Sequence, residues 1–147
     1  MRIKIRTAEP RHLDEITRIE HEHFPHPCWS RELIERKLCD PDTRFLVAEA
    51  DGVVLGYAVL QRIPPEAELL NIAVDTPAQR QGLGRRMILQ LMDEASGQGI
   101  ETMYLEARAS NAGALALYRS LGFEQTGRRR AYYQNPVEGA VLMMVTL

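Results

Sequence analysis

The stretch that decides the fold is LNIAVDTPAQRQGLG, residues 70–84. It begins with an apolar run typical of a strand, continues through an Asp-Thr-Pro turn and ends in a loop with two glycines. The apolar residues that follow are spaced three and four positions apart: Met87, Ile88, Leu91, Met92 and Ala95. This spacing predicts an amphipathic helix, so the stretch predicts a strand, a glycine loop and a helix start.

The glycine loop has the properties of an anion-binding site. A helix start leaves backbone N–H groups without partners and carries the positive end of the helix dipole. Gly82 and Gly84 have no Cβ atoms, so a phosphate or pyrophosphate can approach the backbone closely. An ordinary strand-to-helix turn would explain the same residues, so the loop alone leaves both interpretations open.

Two common kinds of phosphate loop do not fit this sequence. An ATP-type loop needs Lys-Ser or Lys-Thr after its last glycine, whereas Gly84 is followed by Arg85 and Arg86. A dinucleotide-binding fingerprint needs three glycines near the start of a βαβ unit, but this loop has two and lies mid-chain.

Composition predicts one soluble globular domain spanning residues 1–147, with 45% hydrophobic and 26% charged residues. A net charge of −2 argues against nucleic-acid binding driven by charge, and no apolar run reaches the length of a membrane span. The alternating N-terminus indicates a strand and not a signal peptide. Cys28 and Cys39 lack metal-ligand spacing, so we expect reduced thiols in a cytoplasmic protein.

The rest of the chain predicts alternating elements. A first strand spans about Ile3–Thr7, and a helix with buried Leu13, Ile16 and Ile19 ends where two prolines occur between Phe24 and Trp29. Ser30 is predicted to cap the next helix, and Asp51-Gly52 is a strong hairpin signal. The predicted strands are Arg44–Ala50, Val53–Arg62, Leu69–Val74, Thr102–Ala107, one that starts at Gly122-Phe123, and Val141–Leu147, with a helix over Asn111–Leu121. This order predicts a mixed α/β sheet covered by helices.

A second segment, LEARASNAGALALYRSLGF at residues 105–123, narrows the interpretation. Together with the glycine loop it resembles the GCN5-related N-acetyltransferase (GNAT) superfamily, and within it the bacterial ribosomal-protein-alanine N-acetyltransferases. The matching pieces are residues 71–74, 79–84, 106–123 and 129–133. The resemblance spans essentially the whole chain and is strongest over residues 69–133.

The resemblance implies a fold and an activity. The fold would be a mixed, mostly antiparallel central sheet with a splayed parallel strand pair, flanked by about four helices. The activity would be acetyl-CoA-dependent acylation of a protein N-terminal α-amine, such as that of a ribosomal protein, by direct attack in a ternary complex. We expect no metal, no direct nucleic-acid contact and no membrane association.

The resemblance also places the donor site. Backbone groups of the splayed strand would pair with the pantetheine amides, and the Val74 N–H would polarise the thioester carbonyl. The glycine loop would bind the pyrophosphate. The residues expected to bind acetyl-CoA are Ile72, Ala73, Val74, Arg80, Gln81, Gly82, Leu83, Gly84, Arg85, Asn111 and Tyr118. Helix capping alone would also explain Asn111.

Two residues are candidates for the chemistry. An α-amine has a pKa near 8 and a lysine near 10.4, so a protein N-terminus requires less of a general base. Glu106 is the candidate base, directly or through a water, although a surface or salt-bridged carboxylate would explain it too. Tyr118 is the candidate acid, or hydrogen-bond donor, for the departing CoA thiolate. A buried helix tyrosine is the alternative.

The acceptor site is less well determined by the sequence. Phe24, Trp29, Tyr132 and Tyr133 are expected either to line the acceptor groove or to cover the end of the sheet. Arg128–Arg130 is either a solvated charge run or a contact for CoA phosphates or an acidic partner. His21, His23 and His26 do not form a metal-binding pattern, because residues two apart on a helix point to different sides.

The sequence departs from the ribosomal branch near both expected acceptor loops. Pro27-Cys28 extends the first loop, and Gly139 stands where a second acid is usual. Acceptor choice therefore stays open: the alternatives are a GNAT enzyme acting on lysine or a small amine, and a non-catalytic acyl-CoA-binding module. A binding module needs neither Glu106 nor Tyr118. The oligomeric state is not predicted.

Overall fold

The computed structural model describes residues 2–134 and 136–147. The strands in this part of the chain are β1 (Lys4–Thr7), β2 (Thr43–Ala50), β3 (Val53–Ile63), β4 (Glu66–Val74), β5 (Thr102–Arg108), β6 (Glu124–Tyr133) and β7 (Glu138–Thr146). The α-helices are α1 (Leu13–His23), α2 (Arg31–Cys39), α3 (Leu83–Ser96) and α4 (Ala112–Ser120).

The described strands form one mixed sheet in the order β1-β2-β3-β4-β5-β7-β6. Every neighbouring pair is antiparallel except β4 and β5, which run parallel. Their pairing begins at Glu66 with Thr102 and ends at Leu69 with Leu105, although both strands continue. The predicted fold, with its splayed parallel pair, is confirmed.

Local signals in the sequence explain several element boundaries. Ser30 caps α2, accepting a hydrogen bond from the Leu33 N–H at 3.1 Å. Asp51 and Gly52 both have positive φ, as a tight hairpin turn requires. β4 begins at Glu66, earlier than predicted, because Pro64-Pro65 is itself the turn between β3 and β4. β7 likewise begins earlier than predicted, at Glu138, because its first residues pair with both β5 and β6.

Helices cover both faces of the sheet. On one face α3 and α4 pack on the larger apolar cluster, to which Met87, Leu91 and Leu115 belong. On the other face α1 and α2 pack on a second cluster that includes Ile16 and Ile34. The buried apolar stripes predicted for α1 and α3 are confirmed, with Met92 only partly buried.

A β-bulge at Leu70 separates the two halves of β4. Val59 of β3 pairs with Asn71 and the next residue, Leu60, pairs with Leu69, so Leu70 is an extra residue in β4. Ala67 and Leu69 face the α3 side, whereas beyond the bulge Ile72 and Val74 do so instead. Because a bulge bends its strand and interrupts pairing, the bulge explains why β4 leaves β5 after Leu69.

Gly56 of β3 lies directly against the separated half of β4. A Cβ atom at this position would come within 2.7 Å of the Ala73 carbonyl oxygen and 3.3 Å of the Val74 Cα. We therefore expect Gly56→Ala to lower the free energy of unfolding by about 2 kcal/mol, as overpacking does, measured by urea denaturation. The matched control is Gly127→Ala, since a Cβ there would make an ordinary 3.6 Å contact with Leu142. Equal stability of the two variants would contradict the expectation.

Candidate active site

A cavity of about 990 Å³ occupies the gap between β4 and β5. It is lined by the end of α1 and the following loop, by β4 beyond the bulge, by the glycine loop, by β5 and by α4. The gap joins the two faces of the sheet, so side chains from both helical layers reach one space. Of the residues expected to bind acetyl-CoA, all except Gln81 line this cavity.

The backbone of β4 beyond the bulge presents unpaired groups to the cavity. The Asp75 N–H donates to the Leu55 carbonyl at 2.8 Å. Because backbone groups alternate in direction along an antiparallel strand, the N–H of Ala73 also points toward β3. Ile72 and Val74 therefore direct their N–H groups toward the gap left by β5. The Val74 carbonyl accepts a hydrogen bond from Gln79 Nε2 at 3.0 Å, which fixes the strand end.

The glycine loop leads directly into α3. Gly82 is the N-cap with φ 74° and Arg80 has φ 64°, both left-handed conformations that turn successive peptide groups. The Arg86 N–H donates to the Gly82 carbonyl at 3.0 Å as the first bond of the helix. The N–H groups of Leu83, Gly84 and Arg85 precede that bond and are the free donors of a helix start. Predicted loop and helix start are both present.

α4 contributes Asn111 and Tyr118 to the cavity from the α3 side. Asn111 caps α4, accepting from the Ala114 N–H at 3.1 Å, so the capping role is confirmed. Tyr118 is 7% exposed and packs edge-on against Phe123. Burial raises the pKa of Tyr118 to about 12, with a smaller contribution from Tyr133, so the phenol stays protonated at neutral pH.

Glu106 projects from β5 on the opposite face. Its neighbours Leu105 and Ala107 point into the core under α3 and α4, so alternation directs Glu106 to the α1 side. Arg129 Nη2 lies 3.3 Å from Glu106 Oε1. The Glu106 carboxylate beside Tyr132 raises the pKa of that tyrosine. Glu106 lines the cavity and is only partly exposed.

The expected acceptor residues are divided between the cavity and its exterior. Phe24, Trp29 and Tyr133 line the cavity, whereas Tyr132 is 47% exposed and does not. The guanidinium of Arg108 lies over the Tyr133 ring at 4.6 Å. Burial, followed by the Glu106 charge, raises the pKa of Tyr133 to about 12. The aromatic ring of Tyr133 is therefore held at the rim beside Glu106.

A buried carboxylate under the cavity is absent from the sequence predictions. Glu20 of α1 is 1% exposed and lines the cavity. It accepts hydrogen bonds from Asn71 Nδ2 at 2.8 Å, from the Trp29 N–H at 3.0 Å and from the Tyr57 hydroxyl. The sequence does contain a signal for the burial of Glu20, because this residue follows Leu13 and Ile16 on the apolar stripe of α1.

Gly139 and His23 also have definite structural explanations. A Cβ at Gly139 would come within 2.8 Å of the Arg129 carbonyl oxygen, so an acidic side chain there would require the backbone to move. His23 bonds to Asp75 at 3.1 Å beside Glu22, and ligand atoms of these three residues lie within 4.8 Å of one another. Arg18 already ion-pairs with both acids, so this group is a satisfied ion-pair network.

Within residues 2–134 and 136–147, we find no helix that is both long enough and apolar enough to cross a membrane.

Comparison with known proteins agrees with this geometry. The model of the acetyltransferase (GNAT) family matches residues 11–123. The [ribosomal protein bS18]-alanine N-acetyltransferase of Escherichia coli is 46% identical over 99 residues, which cover 66% of this chain and 67% of the relative. The N-alpha-acetyltransferase RimI of Mycobacterium tuberculosis is 42% identical over 116 residues, covering 76% and 70% of the two chains.

Solved structures share the whole fold. The crystal structure of the ribosomal-protein-S18-alanine N-acetyltransferase from E. coli matches with a TM-score of 0.89 and 36% identity, covering 99% of this chain and 94% of the other. The PaiA N-acetyltransferase from Thermoplasma acidophilum, solved in complex with coenzyme A, matches with a TM-score of 0.81 over the full length of both chains. At 19% identity the second likeness concerns the fold alone.

Proposed function

This chain belongs to the acetyltransferase (GNAT) family of acyltransferases, and from that premise we propose that it acetylates a protein N-terminal α-amine with acetyl-CoA, by direct attack in a ternary complex. The observation that carries the proposal is the gap between β4 and β5. Tyr118 reaches it from one face of the sheet and Glu106 from the other, so one cavity offers a donor side and an acceptor side.

On the donor side, coenzyme A would extend the sheet into the gap. The N–H groups of Ile72 and Val74 would pair with the pantetheine amides and the thioester carbonyl. The free N–H groups at the start of α3 would bind the pyrophosphate, whose negative charge the helix dipole favours. Acetyl-CoA would supply the acetyl group, and no metal takes part in the proposed reaction.

On the acceptor side, Phe24, Trp29 and Tyr133 would enclose the end of a peptide beside Glu106. An α-amine with a pKa near 8 has a neutral fraction at pH 7 about 250-fold larger than that of a lysine. An N-terminus therefore requires less of a general base than a lysine does, and in this proposal one carboxylate, Glu106, accepts the proton directly or through a water. The names of the relatives support this acceptor class, and a ribosomal protein N-terminus is the specific candidate.

The balance of the reaction follows from these positions. The neutral amine attacks the thioester carbon, the tetrahedral oxyanion is stabilised by a backbone N–H of β4, and the C–S bond then breaks. The amine proton passes to Glu106, and the thiolate receives a hydrogen bond from Tyr118. The proposal also includes a single acetyltransferase domain over residues 1–147 and a cytoplasmic location.

The test is a panel of acceptors assayed by release of free CoA. We expect turnover with short peptides carrying a free N-terminal alanine, and none when the same peptides are N-terminally blocked. Turnover confined to blocked peptides with lysine side chains, or to polyamines, would refute the α-amine proposal. Tight binding of acetyl-CoA without any turnover would instead support the acyl-CoA-binding module.

A further inference from the structure

The carboxylate of Glu20 joins four separate elements at the floor of the cavity. Glu20 belongs to α1, Trp29 to the loop that leads to α2, Tyr57 to β3 and Asn71 to β4. One oxygen, Oε1, accepts from Tyr57 and Asn71, and the other, Oε2, accepts from the Trp29 backbone N–H. With both oxygens hydrogen-bonded, the carboxylate forms a rigid junction between these elements.

The two sides of this junction belong to different parts of the proposed site. Trp29 lines the acceptor side, and its backbone N–H attaches the loop to Glu20 through a hydrogen bond. Asn71 is the first residue beyond the Leu70 bulge and precedes Ile72, whose N–H faces the donor gap. The same carboxylate therefore fixes the acceptor loop and the donor strand relative to each other.

We propose that Glu20 is a positioning residue for the transfer reaction: it sets the spacing between the Trp29 loop and the separated half of β4. The proposal rests on the function proposed above, because it assigns these two segments to acceptor and donor. A shift of about 1 Å between reacting groups can lower a rate by about 10²-fold, so a junction at this place affects turnover without touching substrate.

A second buried carboxylate supplies the matched control. Glu49 of β2 is also almost fully buried, and it accepts hydrogen bonds from Arg6 at 3.0 Å and pairs with His12 at 3.0 Å. It does not line the cavity. Substituting Glu49 therefore disturbs a buried carboxylate elsewhere in the fold without altering the Glu20 junction.

The experiment compares Glu20→Ala and Glu20→Gln with Glu49→Ala and Glu49→Gln, after far-ultraviolet circular dichroism has identified the folded variants. Trp29 is the single tryptophan of the chain, so its emission and acrylamide quenching report the loop without any acceptor. We expect red-shifted emission and stronger quenching in the Glu20 variants, largest for Ala, and unchanged emission in the Glu49 variants. The Gln variant keeps the volume, and remains decisive if Ala prevents folding.

Kinetics supply the second readout. We expect the Glu20 variants to raise the KM for an N-terminal alanine peptide and to lower kcat/KM by about 10- to 100-fold, while the Glu49 variants keep wild-type kinetic constants. Unchanged Trp29 emission, or equal KM values in the Glu20 and Glu49 variants, would overturn the positioning role. Wild-type turnover on the peptide tests the proposed function separately, since its failure leaves the fluorescence comparison intact.

Discussion

Replacing Tyr118 by phenylalanine is expected to lower kcat by about 10²-fold, the typical cost of removing one hydrogen-bond donor from developing charge in a transition state. The KM for acetyl-CoA should change little, because the ring, its packing against Phe123 and the helix that carries it are retained. Steady-state kinetics with a saturating peptide acceptor separate the two constants.

The raised pKa of Tyr118 bears on the role that we propose for this residue. Burial raises that pKa to about 12, whereas a thiol has a pKa near 8.5. Complete proton transfer to the thiolate would therefore be uphill by about 3.5 pKa units, or about 5 kcal/mol. In the proposed reaction the phenol would instead stabilise the departing thiolate by donating a hydrogen bond, and it would itself stay protonated at neutral pH.

Tyr104→Phe is the control for the tyrosine substitution. Tyr104 lies on β5 outside the cavity lining, where the neighbouring Glu66 carboxylate raises its pKa. We expect Tyr104→Phe to leave kcat unchanged. If Tyr118→Phe raised the KM for acetyl-CoA and left kcat at the wild-type value, the residue would have a binding role and the proposed role in thiolate departure would be wrong.

Glu106→Gln is expected to lower kcat/KM for a peptide acceptor by about 10²-fold near pH 6.5, a loss typical of removing a general base. Below the amine pKa of about 8, most of the acceptor is the ammonium form, which must lose a proton before it can attack. A base at the site would assist this first proton loss as well as the later loss of a proton from the attacking amine. The decrease in kcat/KM should therefore become smaller as pH rises through 8, because most of the acceptor is then already the neutral amine. The pH dependence of kcat/KM checks this.

Glu68→Gln separates the base from the local charge. Glu68 faces Glu106 from β4, and partial burial together with the Glu106 charge raises the pKa of Glu68. The variant removes a negative charge beside the site but leaves the proposed base in place, so we expect rates within about 3-fold of wild type at every pH. An equal loss in both variants, independent of pH, would assign the effect to electrostatic attraction of the acceptor.

The sequence predicted the parts of the site that depend on local structure. The glycine loop, the start of α3 and the Asn111 cap follow from residue types within a few positions of one another. Glu106 and Tyr118 were selected by resemblance and lie in one cavity. Their catalytic roles stay predictions until the substitutions above are measured.

Features that depend on distant contacts could not be predicted in the same way. The bulge at Leu70 is defined by the register between β3 and β4, which no local pattern specifies. The Glu20 junction depends on residues up to 51 positions apart in the chain. The exposure of Tyr132, in contrast to the partly buried Tyr133 beside it, depends on how β6 and β7 pair across a register shift.

The bulge at Leu70 has a consequence for engineering this fold. A designer who regularised the sheet by deleting that residue would restore uninterrupted alternation along β4 and allow the strand to continue pairing with β5. The resulting sheet would be more regular. The gap between β4 and β5, in which we place the reaction, would then be closed by hydrogen bonds between the two strands. In this chain, the extra residue Leu70 keeps open the cavity between β4 and β5, which a regular sheet would close.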